Sequence, residues 1–239
     1  MAIVVIGATC SLGELVVDKL LAMDIDVVAK EESHLKRNQD LLKYSNSSLE
    51  SKGEGFSISF DGSNADIIIG TDIIVQDLLP TKVDRWIAPE FQSWIDGDGD
   101  DFPSRYWLSV IDAANAIAHI VQAEQRVTGI FMCGRREWEC DDSRAEFEML
   151  WKRTEQGISG EFTKDTLFGH QIAGMVPKPM DTGLSKRPNL DPLHNLLLDI
   201  TGDGWRPMIP FRTGLMTLIA GMLSCCLLYT SDAADDGVG

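Results

Sequence analysis

The stretch Ala2-Ile3-Val4-Val5-Ile6-Gly7-Ala8-Thr9-Cys10-Ser11-Leu12-Gly13 decides the fold. Its five apolar residues predict a short buried strand that runs into a glycine-bearing turn. The turn opens a helix with apolar positions at Leu15, Val16 and Leu20, and a second apolar run follows at 25–29. Strand, turn, helix and strand in this order are typical of the start of a dinucleotide-binding α/β fold.

The turn predicts a binding site for a pyrophosphate. The first N–H groups of a helix point outward without partners, and the helix dipole adds partial positive charge there. Glycines let the backbone approach such a ligand closely. We therefore expect NAD or NADP to be bound by these residues: Gly7, Thr9, Cys10, Ser11, Leu12 and Gly13. The alternative is a Rossmann-like unit that binds no cofactor.

The residues after the second strand bear on the choice of cofactor. An acidic side chain there would bind the ribose hydroxyls of NAD, and Glu31 or Glu32 is placed to do so. Lys30 and Arg37 are close in sequence and would instead favour the 2′-phosphate of NADP. The sequence leaves both cofactors open.

The turn resembles the G-x-x-G-x-x-G motif of the extended short-chain dehydrogenase/reductase family, which includes nucleotide-sugar epimerases and dehydratases. Gly7 and Gly13 match the motif, and Cys10 replaces its middle glycine. Because Cys10 puts a Cβ and a sulfur where backbone should approach phosphate, we expect weak binding.

Further matches to this family lie in the C-terminal half. They are Gly97-Asp98-Gly99, the run Arg105-Tyr106-Trp107-Leu108-Ser109-Val110-Ile111-Asp112, the alanine-rich helix 113–121, the strand 129–134, the run Lys186-Arg187-Pro188-Asn189-Leu190-Asp191, and Gly204-Trp205-Arg206-Pro207. The resemblance implies an NAD(P)-dependent epimerase or dehydratase with a nucleotide-sugar-like substrate and a small C-terminal substrate lobe.

The resemblance also implies that Arg105 and Arg187 grip the substrate diphosphate. A guanidinium suits this role because it pairs bidentately with phosphate. The alternative for Arg105 is a salt bridge with the acidic cluster 98–101, and for Arg187 a solvated loop charge.

The family's Tyr-x-x-x-Lys centre has no match here, so the catalytic residue is unknown. Tyr44, Tyr106 and Tyr229 are followed four residues later by Ser, Val and Ala. Only residues 30–65 separate the second strand from the run at 66–75, little more than one βαβ unit of roughly 30 residues.

The Rossmann-like sheet is therefore predicted to be shortened, and three hypotheses follow. The chain is an enzyme of the family, a vestigial dinucleotide-binding chain, or a fragment that does not fold stably. Lys30 could also match the family's lysine, in which case Asp26 occupies the tyrosine position.

Composition excludes several other classes. The net charge of −16 argues against nucleic acid and anionic membrane surfaces as partners. Five cysteines without C-x-x-C pairs favour a reducing cytoplasm. The four histidines are scattered, so no metal site is expected. A homodimer stays open.

The expected domains are a dinucleotide-binding domain over 1–134, a substrate lobe over 135–223 and a non-native tail over 224–239, which looks like translated adapter read-through. Helices are predicted over 31–45, 112–125 and 146–156, and strands over 56–60, 66–75, 107–110 and 129–134. Loops are predicted over 46–55 and 169–191. The uncharged stretch 213–231 is predicted to form a short buried helix rather than a membrane span.

Overall fold

A parallel five-stranded sheet organises the N-terminal part of the chain. The structure is a computed structural model that describes residues 2–97, 101–159 and 187–235, with backbone alone for 155–159 and 224–235. The strands lie in the order β3-β2-β1-β4-β5. Their bounds are β1 Ile3–Ile6, β2 Val27–Ala29, β3 Leu49–Glu50, β4 Phe56–Ser59 and β5 Ile67–Ile68. Ile3 of the central strand pairs with Val27 on one side and Phe56 on the other, which explains the apolar runs of β1 and β2.

Two further parallel strand pairs extend the architecture. They are β6 Ile73–Val75 with β9 Ile130–Met132, and β7 Leu78–Leu79 with β8 Leu108–Ser109. A bridge between Ile69 and Ile73 connects the ends of β5 and β6, and Gly70 between them has φ +101°. The run 66–75 is therefore two strands around Gly70, as predicted.

The helices α1 Ser11–Ala22 and α5 Val110–Gln122 pack against each other and form the main core with the sheet. On α1 the buried positions include Val16, Val17 and Leu20, at helical spacing. On α5 four of the eight buried side chains are alanines, and the others are valines and isoleucines. The Ser109 hydroxyl caps α5 by accepting from the Ile111 N–H at 3.3 Å.

A second core, here called the aromatic core because five of its buried side chains are aromatic, lies between three helices. These are α4 Pro89–Asp96, α6 Cys140–Ser159 and α8 Phe211–Asp235. Phe91 is fully buried, with its ring centroid 5.2–5.4 Å from those of Trp94, Trp107 and Phe147. The remaining helix, α7 Asp191–Thr201, packs on α5 and β9 and belongs to the main core.

Most predicted elements are confirmed, and three predictions need correction. The stretch 31–45 forms two short helices, α2 Ser33–Arg37 and α3 Gln39–Leu42. The stretch 46–55 is not all loop, because Leu49 and Glu50 form β3 by pairing with β2. The helix predicted over 146–156 begins earlier, at Cys140. Of the loop predicted over 169–191, residues 169–186 lie outside the described residues.

Both cores draw residues from before and after residue 134. The division into 1–134, 135–223 and 224–239 stays a prediction about folding units. In the part of the chain that is described, no helix has the length and apolarity needed to cross a membrane.

The aromatic core gives the first prediction. Phe91→Ala should lower the free energy of unfolding by about 3–5 kcal/mol, because it leaves a cavity that the neighbouring rings fill only in part. Urea denaturation followed by tryptophan fluorescence measures this. Phe102→Ala, at a partly exposed ring on the edge of the cluster, is the matched control. An equal loss in both variants would contradict the central role of Phe91.

Candidate functional site

The β1–α1 turn has the shape that the glycine motif predicts. Gly7 has φ +66°, and a Cβ there would lie 2.5 Å from Cγ of Asp61. A Cβ on Gly13 would lie 2.6 Å from Cα of Ala8. Both positions therefore require glycine, one for its backbone conformation and the other for close packing of helix on strand.

Cys10 forms the N-cap of α1 in an extended conformation, with φ −93° and ψ 164°. The backbone here has no need of glycine, so the cysteine fits without strain. Its side chain is buried, and its Sγ accepts from the Trp86 indole N–H at 3.3 Å and lies 3.7 Å from Nη2 of Arg85. The thiol thus faces the segment that follows β7.

The first amide of α1 is occupied by a carboxylate. The Ser11 N–H donates to Oδ2 of Asp84 at 2.6 Å, and Oδ1 of Asp84 accepts from the Trp86 N–H at 2.9 Å. The Ser11 hydroxyl is buried beside this contact and has no hydrogen-bond partner among the described residues. Negative charge at a helix N-terminus is stabilised by the unpaired N–H groups and the helix dipole.

Neighbouring contacts fix the same segment against the turn. Nζ of Lys82 lies 2.6 Å from Oε1 of Glu14 and 3.4 Å from the carbonyl oxygen of Thr9. Thr9 itself is exposed, whereas Leu12 is fully buried in the main core.

Glu31 lies where a ribose-binding carboxylate was predicted, beside the turn. Its Oε1 accepts from the Gly7 N–H at 3.1 Å, and its Oε2 lies 3.5 Å from Nε2 of the buried His34. Glu32 and Lys30 are exposed. The structure therefore brings Glu31, rather than Glu32, to the glycine turn.

Arg37 is held by carboxylates of α1. Its guanidinium lies 2.7 Å from Oε2 of Glu14 and 2.7 Å from Oδ2 of Asp18. A 2′-phosphate would have to compete with both carboxylates for this charge.

Arg105 pairs with two carboxylates, and both lie outside the acidic cluster 98–101 that the sequence offers as its alternative partner. Its Nη1 lies 3.1 Å from Oδ1 of Asp77, and its guanidinium also pairs with the buried Glu90. Of the cluster 98–101, residues 98–100 lie outside the described residues. These contacts neutralise the charge of Arg105, so its role in binding phosphate stays a prediction.

Arg187 lies near the same region. Its Nη1 donates to the carbonyl oxygen of Arg135 at 2.9 Å, and its charge acts on Cys133. Burial, together with the Asp77 carboxylate, nevertheless raises the pKa of the Cys133 thiol to about 12. Asp77 follows β6 and Cys133 follows β9, and these two strands are parallel. Because Arg105 pairs with Asp77 and the charge of Arg187 acts on Cys133, both arginines lie at the carboxyl ends of these strands.

The side chains of two tyrosines, Tyr44 and Tyr106, are described, and neither is followed by a lysine four residues later. Tyr44 is exposed in the loop after α3. Tyr106 is buried, and its N–H donates to Oδ2 of Asp77 at 2.7 Å.

Sequence reasoning missed Asp84, Lys82 and Trp86. Asp84 is 73 residues from Ser11 along the chain. The segment that carries it has no periodic pattern, so the sequence contains no signal of this contact.

Asp61, beside Gly7, gives a prediction on pH. Hydrogen bonds from Ser63 and Ser59 lower the pKa of Asp61 from 3.8 to about 2. Because the pKa of Asp61 is lower in the folded state than in the unfolded state, its carboxylate stabilises the fold fully at pH values above 3.8. This stabilisation is lost as the pH falls towards 2. In urea denaturation, Asp61→Asn should therefore lose less stability than wild type between pH 4 and 2.5. Asp199→Asn, at an exposed position on α7, should follow wild type. Parallel curves for Asp61→Asn and wild type would contradict the prediction.

Comparison with known proteins supports the fold. No protein-family model and no curated protein matches the chain. Among solved structures, UDP-glucuronic acid 4-epimerase from Bacillus cereus in complex with UDP-glucuronic acid and NAD is similar, with 10% identity, TM-score 0.51, and 94% of this chain and 100% of that chain covered. The Bordetella bronchiseptica enzyme WbmF in complex with NAD+ and UDP has 10% identity, TM-score 0.50, and 98% and 97% coverage. The same enzyme with NADH has 10% identity, TM-score 0.50, and 100% and 98% coverage.

At this identity the likeness is one of fold. The chain has the α/β Rossmann-type architecture with a parallel central sheet that these epimerase-like structures share, as its sequence predicts.

Proposed function

We propose that this chain binds NAD or NADP at the turn 7–13 and is related to the nucleotide-sugar epimerases and dehydratases. The observation that carries the proposal is the β1–turn–α1 geometry, in which two glycines are required sterically and Glu31 lies beside the turn. The similar solved structures contain NAD or NADH, which supports a cofactor of this type.

The turn offers hydrogen-bond donors that suit a pyrophosphate. Gly7 and Gly13 permit the turn and the close approach of α1, and the buried Ser11 hydroxyl has no hydrogen-bond partner among the described residues. The Ser11 amide that would also bind phosphate is held by Asp84, so this carboxylate must move first. A bound nicotinamide cofactor would supply hydride-transfer chemistry.

A nucleotide sugar is the proposed small-molecule partner of the same site. The support is the position of Arg105 and Arg187 at the carboxyl ends of the strands and the UDP-containing ligands of the similar structures. Because Asp77 and Glu90 neutralise Arg105, this binding would require the arginine to exchange partners.

The absence of Tyr-x-x-x-Lys in the sequence favours a chain that binds the dinucleotide and performs no chemistry. The alternative is an active epimerase, dehydratase or reductase whose proton donor is still to be identified. The turnover experiment below distinguishes the two.

The first test of the proposal is cofactor binding by calorimetry. We expect weak binding of NAD+ or NADP+ by wild type and several-fold tighter binding by Cys10→Gly, because the variant removes the sulfur that anchors Trp86 beside the turn. Cys140→Ser, which removes a cysteine at the start of α6, is the control and should leave affinity unchanged. Equal affinity of wild type and Cys10→Gly would contradict the role assigned to this thiol.

The second test is turnover of UDP- and dTDP-sugars with NAD+, followed by chromatography of the sugar products. We expect little or none, because a positioned general acid or base contributes about 10²–10⁴-fold to rate. Turnover on the order of 10 per second, typical of enzymes, would contradict the non-catalytic hypothesis. In that case Tyr106→Phe would be the first variant to measure.

A further inference from the structure

We propose that the segment 81–86, here called the Asp84 segment, is an intramolecular inhibitor of the dinucleotide site. Its carboxylate occupies the anion position at the start of α1, and a dinucleotide has to displace it. This inference rests on the proposed function and adds a regulatory element to it.

Asp84 makes the contact that a phosphate oxygen would make. Its Oδ2 lies 2.6 Å from the Ser11 amide, a short distance typical of charge-assisted hydrogen bonds. The helix behind this amide has 12 residues, so its dipole contributes fully at the contact. A carboxylate in this position excludes a second anion by occupying the donor and by charge repulsion.

The start of α1 has one more hydrogen-bond donor than Asp84 uses, the Ser11 hydroxyl. The hydroxyl of Ser11 is 0% exposed and has no hydrogen-bond partner among the described residues. Buried polar groups are almost always hydrogen-bonded, because leaving one unpaired costs free energy. A pyrophosphate, with more oxygens than a carboxylate, could satisfy both the hydroxyl and the amide of Ser11.

The Asp84 segment is fixed firmly at its start and loosely in its middle. At its start, α8 approaches so closely that a Cβ on Gly221 would lie 2.0 Å from the carbonyl oxygen of Thr81. In its middle, Val83 is 52% exposed. The polar contacts with the turn come from Lys82, Asp84, Arg85 and Trp86, and the Trp86 side chain also packs against the main core. The middle, at Val83 and Asp84, can therefore leave the turn while both ends stay packed.

The consequence is a reduced apparent affinity for the cofactor. If only the fraction of molecules with a displaced segment can bind, the apparent dissociation constant rises in inverse proportion to that fraction. Weakening the Asp84 contact raises this fraction without touching the glycine turn.

Two Asp84 variants test this with NAD+ as the ligand in calorimetry. Asp84→Asn keeps the shape and an acceptor but removes the charge, and Asp84→Ala removes the acceptor as well. We expect NAD+ to bind about tenfold more tightly to Asp84→Ala than to wild type, with Asp84→Asn intermediate. Asp199→Asn is the matched control for loss of one negative charge and should bind as wild type does. Circular dichroism establishes that each variant is folded.

The outcomes separate this inference from the proposed function. Binding by wild type that is no weaker than binding by the Asp84 variants would overturn the inference and leave the proposed function intact. Binding by the variants alone would support both. Absence of binding by all the proteins, Cys10→Gly included, would overturn both.

A second measurement follows the segment without a ligand. Cys10 is 6% exposed beneath Trp86, so iodoacetamide should label it slowly in wild type and several-fold faster in Asp84→Ala. Peptide mapping by mass spectrometry distinguishes Cys10 from the other cysteines. Unchanged labelling of Cys10 in Asp84→Ala would overturn the inference, since the segment would then not be held by this carboxylate. Faster labelling without tighter binding would overturn it too.

Discussion

The close contact between the start of α1 and the end of β1 is the constraint on which the rest of the structure depends. Gly13 lies so close to Ala8 that any side chain would collide with backbone. This contact seats α1 on the sheet, where it can pack against α5 and close the main core. It also points the first amides of α1 towards the turn, so the same constraint creates the candidate anion site.

Three carboxylates lie around this turn, those of Glu14, Glu31 and Asp84. Glu31 accepts from the Gly7 amide and Asp84 from the Ser11 amide, while Glu14 pairs with Lys82 and Arg37. Each carboxylate thus has a backbone donor or a cation as a partner for at least one oxygen. A dinucleotide phosphate brings further negative charge to this region, so its binding depends on rearranging these contacts rather than on filling open space.

The predicted phosphate-binding arginines illustrate how tertiary contacts modify a motif. Arg105 stands where the family resemblance puts a phosphate-binding guanidinium, three residues before β8. The fold surrounds it with Asp77 and the fully buried Glu90, and these partners hold the strand pair β7–β8 to α4. The side chain proposed to bind phosphate thus forms a structural ion pair, and this pair would have to open for phosphate to bind.

The sequence by itself determined the first β-α-β unit, the alanine-rich helix α5 and the location of the glycine turn. Apolar periodicity and the positions of Gly7 and Gly13 are local properties, and strand, turn and helix follow from them over a few residues. It did not determine β3, because two residues in a polar stretch become a strand only by pairing with β2. Nor did it determine what covers the turn. Asp84 reaches Ser11 across 73 residues, and only the packing of β7 and α8 brings them together. Neither the pairing of β3 with β2 nor the contact of Asp84 with Ser11 produces a local sequence pattern, because each joins elements that meet only in the folded chain.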